Sequence, residues 1–153
     1  MSAIPDSLRC GVVKCRIVYS DRILAVNFEQ YNYRNIRKLA LVYDDTIDYG
    51  YKFEDRSSFD HLLKQRGDAD EILIVRNGVI TDTSFTNVVL RHNDGTLVTP
   101  ESYLLPGTKR QMLLDRGLIS QRRIAVEDLS QYNEIYLINA MIDLEDRIVA
   151  WLF

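Results

Sequence analysis

The sequence predicts an α+β domain built on a mixed β-sheet. Three features carry that expectation. Short runs rich in Val, Ile, Leu and Tyr recur along the chain, turn signals join most of them as hairpins, and only two or three stretches have helical spacing. Residues 12–19 (Val-Val-Lys-Cys-Arg-Ile-Val-Tyr) and 23–28 (Ile-Leu-Ala-Val-Asn-Phe) read as strands joined by a turn near Ser20-Asp21, and residues 37–43 as a third. The polar stretch from Asp44 to Gly50 reads as a connection between two lobes, residues 1–48 and residues 49–153.

In the second lobe, Ser57 or Ser58 can cap a helix running to about Arg66. Phe59, Leu62, Leu63 and Arg66 share one face, and Gly67 ends it. Residues 71–75 form a strand, and Asn77-Gly78 is a tight-hairpin signal into Val79-Ile80. A second hairpin pairs 87–92 with 96–99 around Asn93-Asp94-Gly95. Gly107 and Thr108 open a helix through about Leu114, stopped by Gly117. Residues 124–126 are expected as a short strand and Val126 to Ser130 as a short helix. Glu134 to Ile138 is a buried strand, and 147–153 a closing one.

Composition excludes several classes. The 153 residues make about one domain, 46% hydrophobic and 27% charged, with net charge −3. No basic cluster is dense enough to track a phosphate backbone, which argues against nucleic acid. No apolar run approaches the ~20 residues needed to span a bilayer, and the first residues lack a signal-peptide core, so a cytoplasmic protein is expected. Cys10 and Cys15 are too few for a structural zinc site, and no metal is expected. Both are expected to be packing thiols.

One constellation suggests specific chemistry. Lys52 sits in Asp48-Tyr-Gly-Tyr-Lys-Phe-Glu-Asp-Arg56. Thirty residues on comes Ile80-Thr-Asp82-Thr-Ser-Phe-Thr-Asn87, then Leu104-Leu-Pro-Gly-Thr108-Lys-Arg110. A lysine, a carboxylate and a helix start rich in backbone amides are what pyridoxal phosphate needs: an amine for its aldehyde, an acid for its pyridinium nitrogen, and amides for its phosphate. Partial burial and the nearby ring cation would lower the lysine pKa and make it a usable nucleophile. Taken singly, each piece also has a structural reading: a solvated lysine, a turn-capping aspartate, an N-cap, an asparagine satisfying its own backbone.

Order and spacing together give the stronger reading. Lys52 with Arg56, Asn77-Gly-Val-Ile-Thr-Asp-Thr-Ser84, Asn87, Leu97-Val-Thr-Pro100, Leu105-Pro-Gly-Thr-Lys-Arg110 and Ile138-Asn-Ala-Met141 resemble the class IV aminotransferases, the fold type IV pyridoxal phosphate enzymes. That family includes branched-chain and D-amino-acid aminotransferases and aminodeoxychorismate lyase. The resemblance implies that residues 49–153 are the C-terminal, cofactor-binding lobe of the D-amino-acid aminotransferase-like fold, and residues 1–48 the end of the N-terminal lobe. It assigns the Schiff base to Lys52 and the ring-nitrogen contact to Asp82, where most members have the longer glutamate. Leu105 would pack on the ring. The main-chain amides of Thr108 and Lys109 would hold the phosphate, with Asn139 and Ala140 in a second phosphate-contacting turn. Asn-Ala at that turn is more similar to the lyase branch.

The family's pattern also includes an earlier segment with a His-x-x-Arg phosphate motif, which this sequence does not contain. The resemblance therefore implies an N-terminally truncated member. It would be a homodimer acting on a small-molecule amino substrate by transamination or elimination. The competing expectation is a non-catalytic remnant that binds phosphate weakly or oligomerises.

Overall fold

The structure is a computed structural model that describes residues 4–152. The chain divides into two compact units, one up to Arg34 and the other from Asn35 onward.

The first unit is a hairpin of β1 (Val13–Tyr19) and β2 (Ile23–Gln30), paired antiparallel from Val13 opposite Gln30 to Tyr19 opposite Ile23. Directly opposed residues share a face, so Cys15 with Phe28 and Ile17 with Val26 make an apolar side. Lys14 with Glu29 makes an ion pair at 2.6 Å on the other. Two strands alone cannot bury a face, and Ile17, Tyr19 and Ile23 remain 49%, 73% and 66% exposed. The same shortage of layers corrects the expectation for the cysteines: Cys10, before β1, and Cys15 are both exposed free thiols.

The second unit holds β3 (Lys38–Tyr43), α1 (Ser57–Leu63), β4 (Glu71–Arg76), β5 (Val79–Thr83), β6 (Asn87–His92) and β7 (Leu97–Pro100). They are followed by α2 (Thr108–Asp115), β8 (Ser120–Arg122), β9 (Tyr132–Ile138) and β10 (Val149–Leu152). Eight strands form one mixed sheet in the order β5-β4-β3-β10-β9-β6-β7-β8. It is the α+β mixed sheet expected. β3 runs parallel to β4, so the connection between them must cross over, and it carries α1. The β4–β5 turn is the predicted Asn-Gly hairpin. Asn77 and Gly78 both have left-handed φ, 52° and 75°, the conformation that tight hairpins demand.

Alternation along the strands sorts side chains into layers. Leu73 and Val75 of β4, Val88 and Leu90 of β6, and Ile135 and Leu137 of β9 meet in one cluster. Their neighbours point the other way. Ile72 and Ile74 pack with Phe59 and Leu62 of α1, and Val89, Tyr136 and Ile138 with Leu113 of α2. The sheet thus curls around the first cluster, and its two ends meet where the Ile80 amide donates to the Ile124 carbonyl at 2.9 Å. One local expectation is corrected there. Residues 124–126 contribute a single bridge, Val79 to Ala125, while the strand is Ser120–Arg122, drawn into parallel pairing by β7.

Candidate functional site

β5 enters the core from the Asn77-Gly78 hairpin and carries Asp82 near its end, with Thr81, Asp82 and Thr83 all buried. A tight turn reverses the chain. The Thr83 hydroxyl accepts from the Phe85 and Thr86 amides at 3.3 and 3.0 Å and meets the Thr86 hydroxyl at 2.7 Å. β6 then opens on Asn87, whose side-chain amide donates 2.8 Å to Asp82 Oδ1. Asp82 Oδ2 accepts from the backbone amides of Leu104 and Leu105 at 2.8 and 3.1 Å.

Burial pushes the Asp82 carboxyl up from its ordinary 3.8 to about 6, against the downward pull of the Asn87, Leu105 and Leu104 hydrogen bonds and the Arg110 charge. Asp82 is therefore an anion at neutral pH, though far less readily than a solvated aspartate. Arg110 is itself buried. It donates to the Pro100 carbonyl at 2.9 Å and lies 4.3 Å over the Tyr103 ring, so it holds the loop between β7 and α2.

Asp82 forms one wall of a cavity of about 270 Å³. The segment before α1 forms another, with Tyr49, Lys52 and Arg56. Lys52 belongs to an exposed stretch outside regular structure. Arg56 ties that stretch to the β5–β6 turn: it donates to the Ser84 carbonyl and lies 4.8 Å over the Phe59 ring. Tyr49 packs edge-on to Phe59 at 4.7 Å and donates to the Phe53 carbonyl at 3.1 Å.

The start of α2 forms the third wall. Gly107 is its N-cap and supplies no side chain to the first-turn amides. Those amides lack intrahelical acceptors by helix geometry and present partial positive charge. Thr108 lines the cavity. Lys109 stands outside the lining, its ammonium paired with Asp143. Asn139 and Ala140 line the cavity from the turn after β9, where Asn139 Oδ1 accepts from the Met141 and Ile142 amides at 2.8 and 3.0 Å. The Lys109–Asp143 pair joins that turn to α2.

Of the residues singled out in the sequence, Lys52, Asp82, Leu105, Thr108, Asn139 and Ala140 all line this one cavity. The sequence placed Phe59 on a helix face and Gly107 at a helix start but pointed to no part in the cavity for either, nor for Tyr49 or Thr83, and Asn87 stood only as part of a pattern. The signal for Asn87 was a polar residue opening an apolar strand five positions after a candidate acid. The cavity brings together an amine able to attack a carbonyl, a buried acid able to hold a cation, and helix-start amides able to hold an anion.

The family model for amino-transferase class IV matches residues 59–144. The chain belongs to the class IV aminotransferase family. An uncharacterized Haemophilus influenzae protein is 38% identical over 138 residues, covering 90% of this chain and 73% of that one. A candidate 4-amino-4-deoxychorismate lyase from Haemophilus somnus 129pt, solved as a crystal structure, is 42% identical. It superposes with a TM-score of 0.83 over 88% of this chain and 69% of its own. A hypothetical Mycobacterium tuberculosis aminotransferase in its PLP-bound form shares 21% identity and a TM-score of 0.56, over 70% of this chain and 44% of its own. That likeness is one of fold. The curled mixed sheet is thus the fold type IV architecture expected for a class IV aminotransferase, and family membership rests on both sequence and structure.

Proposed function

We propose that the chain binds pyridoxal phosphate covalently through Lys52 and acts on a small-molecule amino substrate, as a class IV aminotransferase or an aminodeoxychorismate-lyase-like enzyme. The observation that carries this reading is the convergence of Lys52, Asp82 and the start of α2 on one cavity. The donor set fits the group. Lys52 would hold the aldehyde, Asp82 the ring nitrogen, and the Thr108 and Lys109 backbone amides, with the Asn139-Ala140 turn, the phosphate. Leu105, half-buried at the cavity wall, would pack on the ring face.

When bound, the cofactor supplies an electron sink for a carbanion at the substrate Cα. The chain's residues supply the rest. Asp82, held as an anion, would keep the ring nitrogen protonated. The Lys52 amine, once displaced by an amino substrate, would be the base that takes the Cα proton. Lys109 would contribute its amide rather than its charge, since Asp143 engages its ammonium.

The test is the visible spectrum of the purified chain with added pyridoxal phosphate, beside Lys52→Ala. The expected result is a borohydride-fixable band present only with Lys52. No band would leave a cofactor-free relative of the family, and a band equally strong in the variant would move the attachment away from Lys52.

A further inference from the structure

Three donors converge on Asp82, and the side-chain donor is Asn87. Its primary amide has two hydrogens, and both are committed: one to Asp82 Oδ1 at 2.8 Å, the other to the Leu105 carbonyl at 2.9 Å. That double commitment sets which way the amide faces. Turned over, it would put its carbonyl oxygen against a carboxylate and a second carbonyl. Asn87 is buried at the cavity wall, so both bonds are held by protein partners with little exposure to solvent.

The amide oxygen then faces Gly107. A Cβ built there would lie 1.9 Å from Asn87 Oδ1, far inside contact distance. Gly107 has φ −66° and ψ 138°, an extended conformation any residue adopts. Its lack of a side chain is therefore explained by close approach and not by backbone freedom. The slot also joins two walls of the cavity: Asn87 opens β6 beside the acid, and Gly107 caps α2.

We propose that Asn87 is a positioning residue that turns the Asp82 carboxylate and stabilises it as an anion, and that Gly107 is glycine to admit the Asn87 amide. The balance at Asp82 makes the bond consequential. Burial pushes the carboxyl up to about 6, and the Asn87 bond is the largest of the influences drawing it down. Losing a hydrogen bond to a charged group would carry the acid into the neutral range. The consequence for a bound ring rests on the proposed function. The positioning of Asp82 does not, because it exists in the cofactor-free chain.

The experiment is a carboxylate titration of the full chain without cofactor, by carbon-13 NMR of labelled aspartate, with Asp82→Asn identifying the Asp82 signal. In Asn87→Ala the Asp82 midpoint is expected to rise by about one pH unit, the size that loss of a charge-assisted bond implies. Gly107→Ala should shift it the same way, because it displaces the amide without deleting it. Asn87→Ser, which keeps a donor, should recover part of the shift. A purely structural role would lower the melting temperature and leave the Asp82 midpoint in place. An unmoved midpoint in whichever of the Ala variants folds would overturn the proposal. A shifted midpoint in a chain that forms no Lys52-dependent band would uphold Asn87 and sink the cofactor reading instead.

Discussion

Two walls of the same cavity are built in opposite ways. On one, Asp82 is 5% exposed, lies at the end of a core strand, and has both carboxylate oxygens engaged by protein donors. On the other, Lys52 sits in an exposed irregular stretch whose neighbours Tyr51 and Phe53 are 77% and 52% exposed. The acid's chemistry is therefore a property of the whole fold, and any change to it is also a change in stability. The amine's chemistry is separable from folding. Under the proposed function, this arrangement would hold the acid in the packed core and put the covalent group on a segment that substrate exchange could displace.

The contrast can be broken most sharply at Lys52. Lys52→Ala should abolish the borohydride-fixable band while changing unfolding free energy by less than about 0.5 kcal/mol, as exposed substitutions do. Urea denaturation beside the spectrum checks both halves. A large loss of stability would mean that Lys52 belongs to the folded frame after all.

Asp82 should show the converse through pH. Its folded value of about 6 lies above the ordinary 3.8, so the folded chain holds this proton more tightly than the unfolded one. The resulting stability is complete below pH 3.8 and is lost as pH rises through about 6. Subtracting the pH profile of Asp82→Asn from that of the parent should isolate a decline of about 3 kcal/mol across that window. A flat difference would show that the acid is solvated and that the wall is not as closed as described.

Arg56 links the walls, and its removal sharpens the comparison. Arg56→Ala loses the bond to the Ser84 carbonyl and the stacking on Phe59, a cost of about 1 kcal/mol. Hydrogen exchange should quicken around Lys52 and stay unchanged in β5 and β6. Equal loosening of both would mean that the walls are one cooperative unit. Least affected should be Lys109→Ala. Its partly exposed pair with Asp143 is worth about 0.5 kcal/mol, and a chemical melt should barely register it. Phosphate affinity of the variant would fall only through the joint between α2 and the Asn139 turn.

The hairpin β1–β2 marks the limit of what patterning predicts. Its alternation of apolar and polar residues was as legible as the unbroken apolar run of β4, and both were read as strands. Yet Ile17 is 49% exposed, whereas Ile72 to Val75 are fully buried. Alternation states which side chains share a face, not whether another layer covers that face. The cysteine expectation failed for the same reason. The displaced short strand near 120–126 failed differently. Ser120, Gln121 and Arg122 are all exposed and carry no periodic signal, and only the edge of β7 recruits them.

What the sequence determined by itself was local and ordinal. Asn77-Gly78 specified its turn because few residues tolerate left-handed φ in succession. The ends of α2 and the order Lys52, Asp82, Thr108, Asn139 were readable for similar reasons, and with them the family. By contrast, α1 stops at Leu63, short of the expected Arg66, and no side chain caps its start. Tertiary structure alone decided the rest. It curled the sheet until β5 met residues 124–125, which brings residues almost ninety positions apart onto one cavity. It buried Asp82 and set its proton affinity, since desolvation depends on everything packed around a group and on nothing in its own spacing. It also set Asn87 against Gly107, a contact across twenty positions whose meaning lies in an absent Cβ.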